Sequence, residues 1–116
     1  MPNYVLLLHE SGTAFPDMSP ADIQAVIQRY VEWRRRIQDG GRAVSGHKLV
    51  DGEGRLMRGK TGAPTVTDGP YAEAREVIGG LFVIEAKTYD EVVALCQDCP
   101  HLDFGTIEIR EVQPTS

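Results

Sequence analysis

Two short apolar runs frame this chain. Residues 3 to 9, NYVLLLH, and residues 80 to 86, GLFVIEA, are almost unbroken in hydrophobic character, as expected of central strands buried on both faces. Residues 105 to 112, GTIEIREV, instead set Ile107 and Ile109 between polar Thr106, Glu108 and Arg110. That period of two predicts an edge strand with one wet face. Residues 42 to 50 read as a further strand, and DGEG at 51 to 54 is turn chemistry leading into a hairpin arm of Arg55 to Arg58 and Pro64 to Thr67.

Two helices fit between these runs. Ser19 is a good N-cap, Pro20 takes the first helical position, where its missing N–H does no harm, and Asp22 completes a pattern like a capping box. The apolar face of this helix is Ile23, Val26, Ile27, Tyr30, Trp33 and Ile37, stepping by three or four, and Gly40-Gly41 supplies the stop. A second helix starts after Thr88, with Asp90 and Glu91 in its first turn and Tyr89, Val92, Val93 and Cys96 at helical spacing. Pro100 ends it. The order is β-α-β, arm, β-α-β. Right-handed crossovers turn two such units into a ferredoxin-like α+β fold, a four-stranded antiparallel sheet with strands one and three central and both helices on one face. The other face is left open, and a second copy packed sheet to sheet would close a barrel-like dimer with a pocket in each half.

Composition narrows the class. A chain of 116 residues fits one domain spanning 1–116, and no apolar run approaches the ~20 residues needed to cross a bilayer. The apolar segment of MPNYVLLLHE is four residues long and has no basic flank, so it reads as a strand, with the cytoplasm as the expected compartment. A net charge of −5 argues against nucleic acid and anionic membrane surfaces as partners. The one basic cluster, Arg34-Arg35-Arg36, would fan around a helix axis and make no single patch.

The segment TVTDGPYAEAREVIGGLFVIEA, with YVLLLHE at the start, SGHKL after the first helix and CPH followed by GTIEIREV at the end, resembles the DGPF-domain proteins. These are a branch of the YCII-related group within the dimeric α+β barrel superfamily. Tyr71 stands where the signature has Phe. The resemblance implies the ferredoxin-like fold and a homodimer. Genes of this family often neighbour, or are fused to, extracytoplasmic-function sigma factors, which implies an accessory or regulatory association as readily as catalysis. The wider group has a proposed catalytic histidine on the first helix, paired with an aspartate. Residues 20 to 39 contain no histidine, so that dyad does not carry over, and a His-Asp pair here must use His47 or His9 with Asp68.

Asp68 reads two ways. Ahead of Gly69-Pro70 it is a turn former whose carboxylate accepts from a backbone N–H, and at the mouth of a dimer interior it is a general base or the orienter of a histidine. His47 shares a strand face with Ala43, Ser45 and Leu49, where small neighbours leave room over its ring; it is either a satisfied structural histidine or a catalytic partner of Asp68 in lyase or isomerase chemistry that needs no cofactor. His9, at a strand end, Ser45 and Tyr71 are candidate contacts for a small-molecule ligand. Arg75 suits a carboxylate or phosphate, although Glu73, Arg75 and Glu76 also fit a solvated helical turn. His101 reads as a surface loop residue.

Cys96 and Cys99 form CQDC at the C-terminal end of a helix, where the dipole disfavours thiolate, so they read as reduced packing residues. No metal set is complete around them. Gly54 stands five residues before Gly59-Lys60-Thr61, as in a P-loop, but Gly62, Pro64 and the β-prone Thr65 to Thr67 follow where a helix is required.

Overall fold

A computed structural model of the chain describes residues 1–11, 18–68 and 76–114. The elements in order are β1 (Asn3–Ser11), α1 (Pro20–Asp39), β2 (Val44–Lys48), β3 (Arg55–Lys60), β4 (Ala63–Asp68), β5 (Glu76–Glu85), α2 (Tyr89–Leu95), a 3-10 turn (Pro100–Asp103) and β6 (Gly105–Glu111). β2, β5, β1 and β6 lie side by side in that order in one antiparallel sheet, and β3 pairs with β4 as a separate hairpin. This is the α+β, ferredoxin-like arrangement expected from the sequence. The two apolar runs occupy the central strands.

The helix starts are set by their caps. The Ser19 hydroxyl accepts the Asp22 N–H at 3.1 Å, and the Thr88 hydroxyl accepts the Glu91 N–H at 3.1 Å. Gly40 donates its N–H to the Arg36 carbonyl at the end of α1, and Gly41 follows at a φ of 90°, a conformation open to glycine. β2 is shorter than the stretch 42 to 50 because its register with β5 runs from Val44 to Lys48.

Alternation along β1 sorts its side chains. Tyr4, Leu6, Leu8 and Glu10 are buried on the helical face, and Val5, Leu7 and His9 are half-buried on the other. β5 behaves alike, with Phe82 and Ile84 inside and Leu81 and Val83 half-buried opposite. The central strands are therefore fully covered on one face, not on two. Both helices lie on the same side, and the molecule is 18 Å thick, about one sheet-and-helix bilayer.

The core gathers Tyr4, Leu6, Leu8, Trp33, Ile37, Val44, Phe82, Ile84, Ala86, Val92, Cys96 and Cys99. Trp33 is 1% exposed and meets the Phe82 ring edge-on at 5.2 Å, while its indole N–H donates to the Leu95 carbonyl at 3.1 Å. Gly46 opposite makes room for Phe82, since a Cβ there would stand 2.6 Å from the ring. Cys96 and Cys99 are free and buried, and burial pushes their thiols up to about 12 and about 11. Trp33→Ala should cost about 3–5 kcal/mol, a large part of the stability of a domain this size, and urea denaturation would measure it. A loss under 1 kcal/mol would show that the Trp33–Phe82 contact does not organise the core.

Candidate functional site

The upper half of the α1 apolar stripe does not reach the sheet. Ile23 and Ile27 stay exposed, and between them and the strand ends lies a cavity of about 420 Å³, within the usual range for small-molecule sites. Its walls are Leu8, Ile23, Val26, Ile27 and Tyr30; its polar groups come from Glu10 on β1, Lys48 on β2, Asp51 in the following turn and His101 in the 3-10 turn. Gly79 and Gly80 complete the floor.

Glu10 follows from the pleat. It continues the inward series Tyr4, Leu6, Leu8, so the strand delivers a carboxylate to a position that is 5% exposed. The register between β1 and β5 slips at this point: Leu8 faces Gly80, but His9 faces Ile78, leaving Gly79 as a bulge. A side chain on residue 79 would collide with the Glu10 carboxyl group, and a Cβ on residue 80 would stand 2.9 Å from the His47 carbonyl oxygen. Gly79 thus holds open the space that the carboxyl group occupies, and Gly80 lets β2 lie close against β5. Among the described residues no donor hydrogen-bonds the Glu10 carboxylate. Burial raises its pKa, with Asp51 adding to the rise and Lys48 and His101 opposing it.

Beside it stands a hydrogen-bonded pair. His101 Nε2 lies 2.8 Å from the His9 carbonyl oxygen, which can only accept, so Nε2 carries the proton. In the tautomer with the proton on Nε2 alone, Nδ1 accepts the Tyr30 hydroxyl at 2.9 Å. Burial foremost pushes the Tyr30 phenol above its ordinary pKa, so it keeps its proton. The turn approaches β1 this closely because residue 105 is glycine: a Cβ there would strike the His9 carbonyl. Lys48 is occupied, with Nζ 2.7 Å from both Asp51 Oδ1 and the Leu49 carbonyl.

The residues singled out from sequence fall elsewhere. Val44 and Gly46 face the core, so Ser45 and His47 face away, on the open side of the sheet, and both are exposed. His47 touches the cavity through its backbone, beside Gly80. The His9 ring is on the open side too, with Nε2 2.8 Å from Glu108 Oε1, a contact that holds the Glu108 carboxyl below its ordinary range. Asp68 ends β4 at the base of the arm; its side chain is 93% exposed and its ion-pair partner is Arg55 at 3.6 Å. Within the chain no hydrogen bond or ion pair joins His47 to Asp68. Tyr71 and Arg75 lie outside the described residues, as does Glu73.

His101 is a correction: it is 2% exposed, because the 3-10 turn folds back on α1 and β1 and both ring nitrogens find partners. Glu10 and Tyr30 were overlooked as site residues, although the alternation of β1 and the stripe of α1 place both on inward faces.

A family model of the YCII-related domain matches residues 3–116. No curated protein matches the chain. Among the described residues no helix is long and apolar enough to cross a membrane.

The folded-state pKa of Glu10 is raised, so the fold favours the neutral acid: that contribution is complete below the ordinary glutamate range and is lost as pH rises through the raised value. Glu10→Gln, neutral throughout, should therefore be more stable than the wild type at pH 8, by on the order of 1 kcal/mol, and the gap should close by pH 4. Thermal unfolding at both pH values checks this, and equal stability at pH 8 would mean that the carboxylate has a partner.

Proposed function

This chain belongs to the YCII-related domain family, and from that footing we propose that it acts as a homodimer that binds a small molecule in the helix-side cavity of each subunit. Glu10 is its proton-transferring group, in lyase or isomerase chemistry that draws on no cofactor. The observation that carries this reading is the Glu10 carboxyl group itself, buried in an apolar cavity without a hydrogen-bond donor among the described residues. A lone buried carboxylate is costly to keep, and a raised pKa brings a carboxyl group toward the range useful for taking and returning a proton near neutrality. Tyr30 and His101 stand beside it as a hydrogen-bonded pair.

Two features support the dimer. The open sheet face carries Val5, Leu7, Leu81 and Val83, half-buried with no layer of described residues over them, and the arm of β3 and β4 is exposed along nearly its whole length. A lone two-stranded hairpin is marginal in water, so the arm gains most by lying on another chain. A second copy on this face buries the apolar row and places His9, Ser45 and His47 in the interface. Under this reading any His47–Asp68 pair is one between subunits, since within its own subunit Asp68 turns to Arg55.

Sedimentation equilibrium should give twice the 12.8 kDa chain mass at micromolar concentration. A monomer would overturn the dimer and hand the open face and the arm to a different protein, as an accessory module of an extracytoplasmic-function sigma factor would require. A thermal-shift screen of small metabolites tests the cavity: a ligand at 100 times its Kd adds ~2.7 kcal/mol, a shift of several degrees. The shift should vanish in Glu10→Gln and persist in His47→Ala; the reverse pattern would move the site to the open face.

A further inference from the structure

The cavity's hydrogen-bonding inventory is one-sided, and that selects a ligand. Among the described residues the Tyr30 and His101 donors that face it are committed, and Lys48 gives two of its three N–H groups to Asp51 and Leu49. The His101 Nε2–H is given to the His9 carbonyl, its Nδ1 is an acceptor, and the Tyr30 hydroxyl proton is given to that nitrogen. Lys48 is neutralised by Asp51 and also bonded to the Leu49 carbonyl. What remains unused, apart from one N–H of the paired Lys48, is a set of acceptors: both oxygens of Glu10 and the second lone pair of the Tyr30 hydroxyl. The charge account points the same way. Lys48 is paired with Asp51, and Glu10 has no ion pair of its own among the described residues.

A ligand that fits must therefore bring donors and positive charge, and must bury hydrocarbon against Leu8, Val26 and Ile27. We propose that the cavity takes a small cationic amine, its ammonium held by the Glu10 carboxylate and the Tyr30 oxygen and its apolar body lying along α1. This rests on the reading of the cavity as a ligand site and names the class of molecule that site takes. Carboxylates and phosphates are the wrong class: they would meet Glu10 and Asp51 with no free cation to hold them. An ammonium offers three N–H donors to acceptors that otherwise have none, and the charge-assisted bond is the stronger kind. The bulge at Gly79 gives the head group room, because a side chain there would occupy the carboxylate's own position.

Three probes of one tail length separate the possibilities: hexylamine, hexanol and hexanoate, titrated calorimetrically at pH 8 into the full-length wild type, Glu10→Gln and Lys48→Met. Hexylamine should bind the wild type at least tenfold more tightly than either of the others. Glu10→Gln should lose that preference and keep its affinity for hexanol, and Lys48→Met, which strips Asp51 of its counter-ion, should strengthen it. If hexanol or hexanoate binds as tightly as the amine, the amine class is overturned while the cavity stands as a ligand site. If hexanoate binds best and Lys48→Met abolishes it, Lys48 is the anchor and the assignment is wrong. If none of the three binds the folded wild type, the amine proposal and the reading beneath it both fall.

Discussion

The pleat of β1 is the constraint on which the rest of this molecule depends. A strand shows its side chains alternately to two faces, so a run that buries Tyr4, Leu6 and Leu8 under the helices has no freedom over the next inward position. That position is Glu10. The same rule sends Val5, Leu7 and His9 the other way, toward a face that no described helix covers. One strand thus carries the core, the acid of the cavity and the middle of the open surface. A slip of one residue in its register would exchange all three.

Sequence patterns made the framework legible because it rests on local signals. The caps at Ser19 and Thr88, the stop at Gly40-Gly41, the apolar runs of β1 and β5 and the alternation of β6 all act within a few residues, and they place the elements correctly. The cavity was harder to see, because it is assembled from the end of β1, the first half of α1, the turn after β2 and the 3-10 turn, segments far apart in the chain. Glu10 lay in plain alternation with its buried neighbours, yet an acid at a strand end reads as a surface residue until a helix is known to cover it. His101 offered no periodic signal at all; a turn that folds back onto β1 decides its burial. His47 attracted notice for its small neighbours, and the same alternation sends its side chain to the opposite face.

Glycine shapes the site as much as any side chain. Gly79 clears the floor beneath Glu10, Gly80 lets β2 lie close against β5, and Gly105 lets the 3-10 turn close on the His9 carbonyl. In sequence, Gly79-Gly80 looks like a flexible approach to a strand. In the fold the pair is a spatial requirement: the bulge at Gly79 takes up one residue of β5 so that the Glu10 carboxyl group has somewhere to lie.

The two thiols of the core have a consequence for anyone following this protein in solution. Cys96 and Cys99 sit unpaired among Trp33, Val92 and the other buried residues, with their pKa values lifted to about 12 and about 11. Alkylating reagents attack the thiolate, which is scarce at both sites while the core is closed. Opening the core restores an ordinary thiol pKa and gives the reagent access. The rate of alkylation therefore counts openings, and the chain carries a native clock for its own local unfolding, placed where α2 meets the sheet and needing no engineered probe.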